Sequence, residues 1–103
     1  MKFRKEFDSM GSINVPEDKY WGASTQRSKK YFDIGEFLVR TILIKSIAII
    51  KKAAAIVHFK DKQISSKISK AIVKASNEII SGKLDNHFPL KVWQTGSGTQ
   101  TNM

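Results

Sequence analysis

Between Thr41 and Phe59 the sequence places Leu43, Ile47, Ile50, Ala54 and Val57 at alternating spacings of four and three, which lines one face of a helix. A second series, Ile42, Ile49 and Ile56, repeats every seven residues on a neighbouring face. A helix that is apolar on two faces is covered from more than one side, so the pattern predicts a central helix in a mainly α fold. Lys45, Lys51 and Lys52 interrupt the run, which therefore falls short of the roughly 18–20 uncharged apolar residues needed to cross a bilayer. A soluble protein with no membrane partner is expected.

A second helix is predicted from Ser65 or Ser66 to Ser81, with Ile64, Ile68, Ile72, Ala75 and Ile79 inward and Lys67, Lys70 and Lys74 outward. Ser65 is the expected N-cap, and Gly82 suits the left-handed position that ends a helix. The linker Lys60 to Gln63 is short enough to fold the two helices back as an antiparallel pair. Residues 1 to 35 are rich in loops. Phe3, Phe7, Ile13 and Val15 predict a short β-hairpin around Ser9-Met10-Gly11-Ser12, and Ala23 to Phe32 predicts a short helix. Pro89 then blocks helix continuation in the last stretch.

The 103 residues have room for one domain, and the chain holds no cysteine, which excludes disulfides, thiolate metal sites and a cysteine nucleophile. A cytoplasmic location is the expectation, and the mixed charges of the first ten residues, with no apolar run after them, predict no secretory signal. The net charge of +9 comes from 15 lysines and three arginines spread along the chain. Nucleic-acid recognition calls for arginine forks and clustered aromatics beside the basic residues, so no nucleic-acid partner is expected. His58 ends the long helix and His87 sits in a connector before Phe88 and Pro89; neither reads as a proton carrier. Lys51 and Lys52 read as a solvated helix face.

The final ten residues contain no acid or base but a dense set of neutral hydrogen-bonding groups: Gln94, Thr95, Ser97, Thr99, Gln100, Thr101 and Asn102. Glycines on either side of Ser97 let backbone approach a ligand closely, and hydroxyl and amide N–H groups donate to anionic oxygens. Such a stretch suits a carboxylate; a flexible polar terminus is the competing reading from composition alone. Trp93 favours the former, because a large aromatic beside the loop can anchor it.

The ending VWQTGSGTQTNM resembles the first signature region of the class II fumarases, and DSMGSINVPEDKYWGASTQRS resembles the opening of the same enzymes. LIKSIAIIKKAAA and ASNEIISGKLDNHFPLKVWQ are similar as well, so the resemblance runs from about Glu6 to Met103. Aspartases of the same fumarase/aspartase superfamily share a related loop, but the Trp-Gln-Thr lead-in and the Gly-Ser-Gly-Thr-Gln wording point to fumarase.

The resemblance implies reversible hydration of fumarate to L-malate with no cofactor or metal. A base removes the C3 proton of malate, an aci-carboxylate gathers the charge, and hydroxide leaves C2 by acid catalysis. It assigns Ser97 and Thr99 to a substrate carboxylate with Gly98 between them, and Gln100, Asn102, Thr25 and Arg27 to supporting positions. Arg27 lies near that site or forms a fixed ion pair within the domain. The catalytic acid and base belong to later regions, so no catalytic residue is expected here and the fragment alone is expected to be inactive. Residues 1–103 are expected to be an N-terminal lyase domain without the central helical bundle and C-terminal domain. Family members assemble as homotetramers whose site gathers side chains from three subunits. Two rival readings are a noncatalytic helical interaction module and a fragment of an aspartase-like ammonia lyase. One departure is visible: the family usually carries Met-Pro before the long helix, where this chain has Val39-Arg40, so an altered helix start is expected.

Overall fold

The structure is a computed structural model that describes residues 1–93 and 99–103. It is mainly α with one N-terminal hairpin, as the periodicities predict. The order is β1 (Phe3–Asp8), β2 (Gly11–Pro16), α1 (Ala23–Tyr31), α2 (Thr41–Lys60), α3 (Ser66–Ile80), a 3-10 turn at Asp85–His87, and α4 (Thr99–Asn102). Two compact units result: Met1–Val39 with His87–Met103, and Arg40–Asn86.

In the first unit β1 and β2 pair antiparallel from Phe3↔Pro16 to Asp8↔Gly11. Ser9 and Met10 make the turn, with the Met10 N–H donating to Asp8 Oδ1 (2.9 Å) and Gly11 at φ +111°. Strand alternation sends Phe3 and Phe7 outward, Phe7 being 71% exposed, and turns Arg4, Glu6, Asp8, Ile13 and Val15 inward. Val15 is fully buried, and with Trp21, Ala23, Thr25 and Ser28 it forms the small core beneath α1. The inward charges are matched. Arg4 binds Glu6 through Nε (2.8 Å) and reaches across to the carbonyls of Pro16 (2.8 Å), Lys19 (2.6 Å) and Trp21 (2.6 Å). One guanidinium thereby closes the β2–α1 loop onto the end of β2.

The second unit is the antiparallel pair α2 and α3. Ser65 caps α3 by accepting from the Ile68 N–H (3.2 Å), and Gly82 sits at φ +90° past its end, both as expected. The far end of α2 closes with the Lys62 N–H on the Phe59 carbonyl (3.0 Å) and the Gln63 N–H on the His58 carbonyl (2.8 Å). This is a Schellman arrangement in which Lys62 holds the left-handed position at φ +58°, a place glycine usually fills. At its other end α2 starts from Arg40 at φ −65°, the angle a proline ring imposes. Arg40 thus stands in a backbone conformation that a proline could also adopt.

The inward faces differ from those read in the sequence. The buried residues are Ala48 and Ala55 on α2 and Ser69 and Ser76 on α3, with Ser69 Oγ donating to the Ala55 carbonyl (3.2 Å). Leu43, Ile50 and Val57 are exposed, as are Ile42, Ile49, Ile56, Ile68 and Ile72. At about 100° per residue the Ala48–Ala55 line lies roughly a third of a turn from each isoleucine-rich stripe of α2. The reason is steric. Small side chains let two helices approach until backbone and hydroxyl touch, which branched residues at the seam would prevent.

Candidate functional site

The polar C-terminal stretch is reached through a tie within the first unit. The Val39 N–H donates to the Leu90 carbonyl (3.0 Å) and the Val92 N–H to the Phe37 carbonyl (2.9 Å), forming an antiparallel bridge at Leu38↔Lys91. Lys91 Nζ lies 3.3 Å from Asp33 Oδ1. Beyond the bridge the Trp93 ring lies along Gly35. A Cβ at Gly35 would stand 2.6 Å from Trp93 Cδ1 and 3.0 Å from Nε1, and Gly35 has φ +80°. Only glycine tolerates both the angle and the approach.

Ser97 and Gly98 lie outside the described residues. Thr99 opens α4 and is exposed, and Asn102 is exposed in its last turn. Gln100 belongs to the same helix by its backbone. Thr25 is buried in α1 within the small core. Arg27, two residues on, forms the fixed ion pair: Nε and Nη2 each lie 3.0 Å from the oxygens of Asp8, and Nη2 also reaches the Gly11 carbonyl (3.2 Å). Those two parallel bonds hold the Asp8 carboxyl below its ordinary 3.8 against the opposing effect of desolvation, and they raise Arg27 in turn. Arg27 thus staples α1 to the hairpin turn.

Three functional placements were not read from the sequence. Arg4 carried no signal, because a lone arginine in a strand does not reveal which carbonyls it will meet. His87 is a structural acceptor: its Nδ1 receives the Tyr20 N–H (3.0 Å) while the two rings meet tilted at 46° with centroids 4.6 Å apart. That bond puts the neutral ring's proton on Nε2 and joins the connector to the loop before α1. Gly35 had a legible trace, since Ile34-Gly35 marks a break, but its partner Trp93 is 58 positions away. His58 is exposed at the end of α2. Among the described residues no group of three or more His, Asp or Glu side chains could hold a metal. Nor is any described helix long and apolar enough to cross a membrane.

With this geometry in place, residues 11–103 match the protein-family model described as Lyase. The chain is 50% identical over its whole length to the fumarate hydratase class II of Thermus aquaticus, of which it covers 22%. It is 54% identical over 98% of its length to the mitochondrial fumarate hydratase of Saccharomyces cerevisiae, covering 21% of that protein. Among solved structures it is similar to the class II fumarase of Schistosoma mansoni, with a TM-score of 0.93 and 48% identity, over 98% of this chain and 22% of that one. It is also similar to a fumarate lyase:delta crystallin from Brucella melitensis, with a TM-score of 0.92 and 36% identity, over 99% of this chain and 23% of that one. The chain therefore spans about a fifth of the length of the relatives it matches.

Proposed function

The chain belongs to the Lyase family, in the N-terminal region of the class II fumarases, and from that premise we propose that it supplies a carboxylate-binding loop for the reversible hydration of fumarate to L-malate. Ser97 and Thr99 donate to a substrate carboxylate, and Gly98 leaves room between them. Bound to the carboxylate that gathers charge, these donors favour the transition state over the ground state. The proton transfers belong to polypeptide beyond this stretch, and the complete enzyme is a homotetramer that needs no metal or cofactor.

The observation that supports this reading is the 50% identity to a named fumarate hydratase over an alignment that spans the entire chain. The experiment follows the ultraviolet absorbance of fumarate on adding L-malate. The 103-residue chain alone is expected to give no change. Joined to the remaining sequence of a class II fumarase it is expected to turn over, and Ser97→Ala is expected to lower kcat by about 10²–10³-fold. Activity unaffected by Ser97→Ala and Thr99→Ala would overturn the assignment. We place the protein in the cytoplasm on its cysteine-free composition; cell fractionation with an organelle marker tests this.

A second reading is favoured by the exposed Ile42, Ile49 and Ile50 of α2, which suit a helical interaction module. Sedimentation showing a strict monomer at all concentrations would remove self-association.

A further inference from the structure

We infer that the outer face of α3 is a docking groove for an acidic segment of polypeptide in extended conformation, held by Lys70, Lys74 and Lys83. The groove lies wholly within the helical unit and is independent of the carboxylate-loop reading.

Lys70, Val73, Lys74, Asn77 and Glu78 recur at the three- and four-residue intervals that make one continuous helix face, and with Lys83 they line a groove of about 560 Å³ that opens to solvent. Gly82, at φ +90°, turns the chain past the helix end, and Lys83 joins the groove from beyond that turn. Val73 is half-buried and supplies an apolar patch, while the three lysines are exposed. Among the described residues none of these lysines forms an ion pair, and Glu78, one turn after Lys74, forms none either. The unit Arg40–Asn86 carries ten basic and three acidic residues, hence +7 of the chain's +9. A second copy of the chain would bring like charge to this face, so the complementary occupant is a different, acidic partner.

The lining selects a peptide over a phosphate. Asn77 offers both N–H and C=O, and the Glu78 carboxylate only accepts; backbone amides answer both, whereas an ionised polyphosphate brings no donor and is repelled by Glu78. Among the described residues no aromatic side chain lines the groove to stack a base. Spacing sets the form of the peptide. Lys70 and Lys74 are separated by a rise of about 6 Å along the helix, and side chains on one face of an extended strand recur every ~6.6 Å. Acidic residues at alternate positions therefore meet the two ammonium groups in register.

The test titrates the 103-residue chain, labelled with nitrogen-15, with a peptide of alternating glutamate and serine. A second peptide carries the same number of glutamates at every third position, where they fall on opposite faces of a strand. The salt concentration is about 0.15 M, at which a Debye length of about 8 Å screens distant charges. The alternating peptide is expected to shift the amides of Val73, Lys74 and Asn77 and to leave those of β1 and β2 in place. The second peptide should bind about threefold more weakly. Lys70→Gln with Lys74→Gln should raise Kd on the order of tenfold, whereas Lys2→Gln with Lys5→Gln, the same charge change in the hairpin unit, should alter it by less than about twofold. All four lysines are exposed, so both double variants should keep the amides of Ala48 and Ala55 where they are in the parent. Groove amides unmoved by the peptide, equal affinity for the two peptides, or equal weakening by the two double variants would overturn the inference. Inorganic tripolyphosphate moving the groove amides at lower concentration than the peptide would overturn it as well, making the groove a phosphate site.

Discussion

Replacing Arg4 with methionine keeps most of the stem and deletes every donor. Three short bonds are lost, to the carbonyls of Pro16, Lys19 and Trp21 at 2.8, 2.6 and 2.6 Å. A hydrogen bond to a charged group is worth about 1.5–3 kcal/mol, but these three share one side chain that is 28% exposed, and the vacated carbonyls can bind water. The bonds are therefore not additive, and about 2–3 kcal/mol is expected for the whole clip. The exposed pairing with Glu6 contributes at most about 0.5 kcal/mol more. The loss is local, so native-state hydrogen exchange is the appropriate assay. Amides of β1, β2 and α1 should exchange roughly 30- to 150-fold faster, at about 1.4 kcal/mol per tenfold, while those of α3 keep their rates. Arg4→Lys, a point charge that can satisfy one carbonyl, should fall between. Exchange in the hairpin within about threefold of the parent rate, or equal acceleration in α3, would refute the reasoning.

At the helix seam, Ser69→Ala should cost about 1 kcal/mol in urea denaturation and Ser69→Leu about 1–3 kcal/mol beyond that; equal midpoints would mean the helices are not in close approach. Lys62→Gly should raise stability by about 0.5–1 kcal/mol, read as a higher thermal midpoint, because glycine holds the left-handed angle without steric cost. For Asp8 the folded-state value lies below the ordinary 3.8, so its contribution is fully present above that pH and is lost as pH falls through the lower folded value. Hairpin exchange rates in the parent should therefore show this contribution disappearing only below 3.8, and Asp8→Asn should abolish that acid-dependent component.

Element types and ends were well marked in the sequence because their signals are local: Ser65 before a periodic run, Gly82 after it, Ser9-Met10-Gly11 between two alternating strands. Facing was less legible. The heptad of Ile42, Ile49 and Ile56 predicts a central helix covered from more than one side, whereas these residues are exposed; an apolar stripe does not say which side the nearest neighbour takes, and the alanine and serine line between the stripes carries almost no hydrophobic signal. The hairpin shows the same limit: Arg4 and Asp8 lie on the inward face and Phe3 and Phe7 on the exposed one, an assignment that alternation alone leaves open. Of the candidate site, the polar run was visible by composition and resemblance. The packing of Trp93 against Gly35 was not, because the two are distant in sequence and the Leu38–Lys91 bridge brings their segments together.

The alanine–serine seam inverts the ordinary relation between side-chain size and sensitivity. In a saturation scan of this chain, the least permissive positions of α2 and α3 should be the four small buried residues Ala48, Ala55, Ser69 and Ser76, whereas the exposed Ile42, Ile49, Ile50 and Ile68 should accept polar replacements with little loss of the two-helix unit. A ranking by hydrophobicity would therefore misjudge which codons matter to this unit.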